Sequence, residues 1–107
     1  MQSMFDTIKT INQGLARKFP HGNEPYQIMT RLLEEGGELA QQVNHFEDSG
    51  VKRKKHGEPN RVKLADEVKG VLITVFQLVA YYELQAELQA SLEYSEDRLR
   101  SDGFLER

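Results

Sequence analysis

The stretch Leu64-Ala65-Asp66-Glu67-Val68-Lys69-Gly70-Val71-Leu72-Ile73-Thr74-Val75-Phe76-Gln77-Leu78-Val79-Ala80-Tyr81-Tyr82 decides how this chain folds. Val68, Val71, Leu72, Ile73, Val75, Phe76, Leu78 and Val79 cover much of a helix's circumference, and a helix apolar nearly all round is a buried one. The run from Val71 to Tyr82, interrupted at Thr74 and Gln77, is shorter than the about 20 apolar residues that cross a bilayer. The expectation is a core helix from about Asn60 to Tyr82, not a membrane anchor.

Upstream, Met4, Ile8, Ile11 and Leu15 recur at spacings of four and three and form one apolar stripe that ends by Phe19-Pro20. A second helix begins after residues 21–25, where Asn23 or Glu24 precedes a proline suited to a first turn. It carries Ile28, Met29, Leu32, Leu33, Leu39, Ala40, Val43 and Phe46 on one broad face and ends near residues 47–50. A loop rich in glycine and basic residues, roughly 48–59, leads into the core helix. A fourth helix takes in Leu84, Leu88, Leu92 and Leu99 after a break near Tyr82-Glu83, and stops at Asp102-Gly103, a good C-cap. No segment alternates with the period of two that a strand requires. The predicted architecture is all-α, a four- to five-helix bundle forming a single domain over residues 1–107.

Composition limits what such a bundle can do. The 107 residues carry a net charge of −3, 38% apolar residues, eight glycines, three prolines and no cysteine. A chain of this length houses one core, and without a basic excess bulk binding to DNA or RNA is not expected. The lack of cysteine excludes disulfides, thiolate ligands and cysteine nucleophiles, so any metal is held by oxygen or imidazole. Residues 1–6 lack the pattern of a secretory signal, and a cytoplasmic location is the expectation.

Two acidic clusters stand about thirty residues apart: Glu34-Glu35-Gly36-Gly37-Glu38 and Asp66-Glu67. Residues three or four apart share a helix face, so Glu38 neighbours both Glu34 and Glu35. The three fall in an arc of about 100°, opposite the stripe of Leu32, Leu39 and Val43, and Gln41, Gln42 and His45 extend the polar face. Such a face is either solvated, with Arg31 as an intrahelical partner, or it lines a groove. Gly36-Gly37 favours the groove, because each glycine costs about 1 kcal/mol relative to alanine inside a helix, which points to close approach by another helix or a ligand. Glu67 lies in an otherwise apolar helix and needs a cation, either Lys63 one turn earlier or a shared divalent metal. Carboxylates facing one another across a bundle repel unless Mg²⁺ or Mn²⁺ neutralises them.

Leu33-Glu34-Glu35-Gly36-Gly37-Glu38-Leu39-Ala40 resembles the Glu-Glu-x-x-Glu motif of the MazG-like all-α nucleoside triphosphate pyrophosphohydrolases. Leu64-Ala65-Asp66-Glu67-Val68-Lys69-Gly70-Val71-Leu72 is similar to their Glu-x-x-Asp motif. The resemblance spans residues 5–100 and implies a bundle of that type, a homodimer or homotetramer. It also implies that Mg²⁺ (or Mn²⁺) is bound and that water attacks the α-phosphorus of an NTP or dNTP, giving a monophosphate and pyrophosphate. By position it implies Glu35, Glu38 and Glu67 as metal ligands and Glu34 as an outer-shell group or the base that orients the water. Gly70 departs from the family's aspartate. Water then completes the coordination, and the implied protein is a hydrolase of altered metal stoichiometry, a weak one, or a nucleotide binder. Asp66 lies about 100° around the helix from Glu67 and is a poor substitute, whereas Thr74 offers a hydroxyl one turn beyond Gly70.

The basic run Lys52-Arg53-Lys54-Lys55-His56 either reaches a triphosphate or keeps its loop solvated. Arg98, with Arg100, is the candidate to meet phosphate from a neighbouring subunit. Phe19, Tyr26 and Phe46 fit the core or stack on a base, His21 and His45 are surface, second-shell or ligand residues, and Tyr81 and Tyr82 suit an oligomer interface. The alternative of a different class is a non-catalytic nucleotide-binding or helical self-association module, which metal dependence separates from an enzyme. Neither reading involves a nucleic-acid polymer or a membrane.

Overall fold

The structure, a computed structural model, describes residues 2–47 and 57–106. It is all-α. Among the described residues four helices follow one another, α1 (Met4–Lys18), α2 (Pro25–Glu47), α3 (Arg61–Tyr81) and α4 (Gln85–Ser101), and no strand occurs.

Each boundary has a local cause. Ser3 Oγ accepts the Asp6 N–H at 3.1 Å and starts α1. Pro25 opens α2, and Gln27 Oε1 accepts the Glu24 N–H at 3.1 Å, the returning half of a capping box. Asn60 Oδ1 accepts the Val62 N–H at 2.7 Å and starts α3. At the end of α4, Gly103 at φ 88° lets its N–H reach Arg100 O (3.1 Å) while the Phe104 N–H reaches Leu99 O (2.9 Å). The break after α3 is bonded in the same way, Glu83 N–H to Ala80 O (3.2 Å) and Leu84 N–H to Val79 O (2.9 Å), but a glutamate holds φ 54° there.

Helix α3 organises the rest, and every residue from 70 to 79 is buried or half-buried. α2 packs along it and α1 packs against it. The contacts Arg31 with Gln77, Glu35 with Gly70, and Glu38 with Glu67 run in opposite senses along the two chains, so α2 and α3 are antiparallel. Among the described residues Ile8, Ile28 and Val79 are the buried apolar residues, one each from α1, α2 and α3, and the Phe5 and Phe76 rings meet at 5.6 Å. Two buried polar residues are tied to backbone: Thr74 Oγ donates to Gly70 O at 2.8 Å, and His45 Nε2 lies 2.7 Å from Gly57 O, holding the end of α2 to the chain entering α3.

The inward face of α2 differs from the broad stripe predicted. Ile28, Arg31, Leu32, Glu35, Leu39, Gln42, His45 and Phe46 turn inward, whereas Met29, Val43 and Leu33, 72% exposed, face out. Inward positions recur every three or four residues from Ile28 whatever their polarity, because one rigid cylinder meets another along a single ridge. His45 is thereby a buried anchor, not a surface residue. In α1 the inward positions are Ile8, Asn12 and Leu15, and Met4 and Ile11 are exposed.

Helix α4 packs against no other helix beyond a marginal touch, and its Leu92, Tyr94 and Leu99 are exposed. The Cα radius of gyration is 17.4 Å, against about 13 Å for a compact chain of this length. Among the described residues no helix is long and apolar enough to cross a membrane.

The left-handed conformation at Glu83 is strained for a residue with a side chain. Glu83→Gly should raise stability by about 0.5–1 kcal/mol, seen as a higher urea midpoint at unchanged slope. A lowered midpoint would refute the strain assignment.

Candidate metal centre

Helical spacing sets Glu35 and Glu38 one turn apart on α2, and the antiparallel α3 brings Glu67 opposite them. One carboxylate oxygen from each lies within 4.8 Å of the other two. Glu35 and Glu67 are half-buried and Glu38 is exposed. Among the described residues no cation pairs with any of the three. Arg31, the expected intrahelical partner, turns away to Gly22 O (2.6 Å), Gln77 Oε1 (3.0 Å) and Asn23 Oδ1 (3.4 Å). Lys63 is exposed and does not pair with Glu67. Lys69 pairs with Asp66 at 3.6 Å, on the exposed side, which agrees with Asp66 lying outside the cluster.

This crowding has an electrostatic signature. Desolvation first, then the charge of Glu38 and a hydrogen bond with it, and then the charges of Glu35 and Asp66, raise the Glu67 carboxyl above its ordinary value. Three hard oxygen donors left short of a counter-charge fit Mg²⁺ or Mn²⁺, with water completing the shell, and suit a thiolate-preferring metal poorly.

Gly70 has a definite steric role. A Cβ built there would overlap Glu35 Oε2 and come within 2.9 Å of Glu35 Cδ. The residue that removes a carboxylate from α3 therefore admits one from α2. The expectation that an aspartate at position 70 would simply add a ligand changes accordingly, since the new side chain has to displace Glu35 first.

Glu35, alone of the three carboxylates, also lines a cavity of about 710 Å³, together with Gly70. Its walls include Leu15, Ile28 and Ile73, and its polar lining includes Asn12, Arg31 and Gln77. Gln77 Nε2 donates to Asn12 Oδ1 (3.2 Å) and Asn12 Nδ2 to Ile73 O (3.2 Å), so the three side chains form one relay. None of these was a candidate from sequence. The available signal was polarity on buried faces, Asn12 among Ile8, Ile11 and Leu15 and Gln77 within the apolar run of α3.

Other candidates are placed elsewhere. Glu34 is exposed and is not brought into the trio. A Cβ at Gly36 or Gly37 would meet nothing within 4 Å among the described residues, so of the helix or ligand expected there no described helix approaches. Arg98 lies exposed on α4 and donates to Tyr94 Oη at 3.2 Å. Phe19 and His21 line the cavity, Phe19 55% exposed and not a core residue; Tyr26 is exposed as well. Lys52, Arg53, Lys54 and Lys55 lie outside the described residues. No protein family, curated protein or solved structure matches this chain.

A carboxyl whose native pKa exceeds its unfolded value binds its proton more tightly when folded. Its contribution to metal-free stability is thus greatest at low pH and declines as pH rises from the ordinary glutamate value through the raised one. Glu67→Gln should flatten that decline and raise the metal-free melting temperature at neutral pH, while abolishing the stabilisation by Mn²⁺ seen in the parent. Gly70→Ala should keep the fold but weaken Mn²⁺ binding about tenfold, read by titration calorimetry, by displacing Glu35. Parent-like Mn²⁺ affinity in both variants would remove this cluster as a metal centre.

Proposed function

We propose that this chain is a divalent-metal-dependent nucleoside triphosphate pyrophosphohydrolase of the MazG-like all-α kind. The observation that supports it most is the adjacency of three carboxylates, which no cation among the described residues compensates, to a cavity of nucleotide size, with Glu35 belonging to both. A divalent cation held by Glu35, Glu38 and Glu67 supplies counter-charge to a polyphosphate and to the charge developing at the α-phosphorus. The reaction adds one water: its oxygen bonds to the α-phosphorus, the bond to the bridging oxygen breaks, and monophosphate and pyrophosphate leave with the released proton going to solvent.

Within that reading the protein's part is placement. Glu38, exposed at the rim, and Glu35, tucked against Gly70, fix the phosphate end, and the cavity walls hold the remainder of the substrate out of water. Glu34, one turn from Glu38 on the solvent side, is the group assigned to orient the attacking water. With Gly70 in place of a fourth carboxylate, more of the coordination falls to water, and turnover is expected to be modest.

The decisive assay is pyrophosphate release from a panel of NTPs and dNTPs with Mg²⁺ and with Mn²⁺. Glu38→Gln should lower kcat/KM by roughly a hundredfold. If neither cation supports release above the Glu38→Gln background, the hydrolase reading fails. Metal-linked stabilisation without turnover would instead identify a nucleotide-binding module.

The proposal includes a homo-oligomer. Exposed Leu92, Tyr94 and Leu99 on an unpacked α4, the open glycine face of α2 and the extended shape all support it. Sedimentation equilibrium should give two or four chains per particle, and a monomer at assay concentration would delete this part of the proposal.

A further inference from the structure

We propose that Arg31 is the electrostatic anchor of the phosphate chain, its guanidinium charge attracting the phosphoryl group nearest the nucleoside while the metal-bound end sits at the carboxylate cluster. This deepens the reading above and rests on it.

Glu38, Glu35, Arg31 and Ile28 succeed one another along α2 at spacings of three and four residues, which sets them on one face. Glu35, Arg31 and Ile28 line the cavity, whereas Glu38 belongs to the cluster without lining it. That face of α2 therefore leads from the cluster into the cavity, and Arg31 is its first lining residue beyond Glu35. Four residues amount to about 6 Å of helix. A ligand that starts at Glu35 and follows α2 inward meets the field of Arg31 within its phosphate chain.

No carboxylate neutralises that field. Arg31 is half-buried, and its three bonds go to neutral oxygens, Gly22 O at 2.6 Å, Gln77 Oε1 at 3.0 Å and Asn23 Oδ1 at 3.4 Å. Among the described residues the ion pairs all lie elsewhere, and Glu35, one turn away, lies against Gly70 instead. Arg31 and Glu35 are the only Lys, Arg, Asp or Glu residues in the described lining. A charged guanidinium acts on an anion through space, whichever of its N–H groups the neutral acceptors occupy, and half out of water it is screened less than at the surface.

Charge balance gives a cation there its purpose. Three carboxylates exceed one divalent cation by one unit, and that remainder repels a polyphosphate. Arg31, on the next turn of the same face, offsets it. The anchor also stands where negative charge develops if water attacks the α-phosphorus.

The test uses the full chain, with Kd read by calorimetry for Mn²⁺ alone and for a non-hydrolysable α,β-imido triphosphate analogue in the presence of Mn²⁺. Removing a positive charge acts with opposite sign on these two ligands. Arg31→Gln should weaken the analogue about tenfold and tighten Mn²⁺ alone about threefold. Arg31→Lys, which keeps the charge, should restore most of the analogue's affinity. A residue that merely clamped Gly22 and Gln77 would lower both affinities when replaced by glutamine, and lysine, lacking the planar fork, would not restore them. That pattern would overturn the anchor, as would parent-like analogue affinity in Arg31→Gln. One readout does not depend on the variants folding: in the parent, the Arg31 Nε resonance should shift on saturation with the Mg²⁺ form of the analogue. An unmoved resonance, or an analogue that does not bind, would also overturn the anchor. Arg31-dependent binding without pyrophosphate release would support it while ending the hydrolase reading. Turnover with parent-like kcat/KM in Arg31→Gln would end the anchor and leave the hydrolase intact.

Discussion

Glu35 can lie against α3 only because residue 70 has no side chain. A methyl group there would occupy the space of the carboxylate, which lies close to Glu67 and lines the cavity. The antiparallel register follows the same line, with Arg31 against Gln77 above the contact and Glu38 against Glu67 below it. One contact thus places Glu35 both among the proposed ligands and in the lining of the cavity.

The arrangement costs the fold some of its core. Arg31, Glu35, Gln42 and His45 on α2, Asn12 on α1 and Thr74 and Gln77 on α3 hold inward positions that apolar residues would otherwise fill. Only Ile8, Ile28 and Val79 are buried apolar residues among those described. Buried polar groups are tolerated where each is bonded, and here the amide relay and the backbone bonds of His45 and Thr74 achieve this. The carboxylate trio is the exception, because desolvation and the neighbouring like charges raise the Glu67 pKa with no cation among the described residues to lower it. Such a breach of a stability rule beside a cavity supports the proposed site.

Much of this was legible before the structure. Asn60, Pro25, the break at Tyr82-Glu83 and Gly103 marked the helix ends, because caps and left-handed turns depend on one or two residues and their immediate neighbours. The convergence of Glu35, Glu38 and Glu67 was also legible, since helical spacing places two of them and motif resemblance named the third. Helix faces were harder. Centring α2 on its leucines put Leu33 and Val43 inside and set Glu35 and His45 on the opposite polar face, whereas in the packed helix Leu33 and Val43 are exposed, Glu35 is half-buried and His45 is buried. Gly36-Gly37 suggested close approach by a helix or a ligand, and no described residue comes close there, while Gly70, read as a lost ligand, proved to be where the Glu35 carboxylate lies against α3.

The sequence by itself determined that the chain is helical, where the described helices start and stop, which helix is central, and which carboxylates could gather. These depend on periodicity and on local hydrogen bonding, which a few neighbouring residues specify. Only the tertiary structure decided which face of each helix turns inward, that Arg31 serves Gln77 rather than a glutamate, and that Asn12 and Gln77 meet from residues 65 positions apart. Such pairings depend on the rotation and register of rigid helices against one another, and those are set by the sum of many distant contacts that no single stretch of sequence contains.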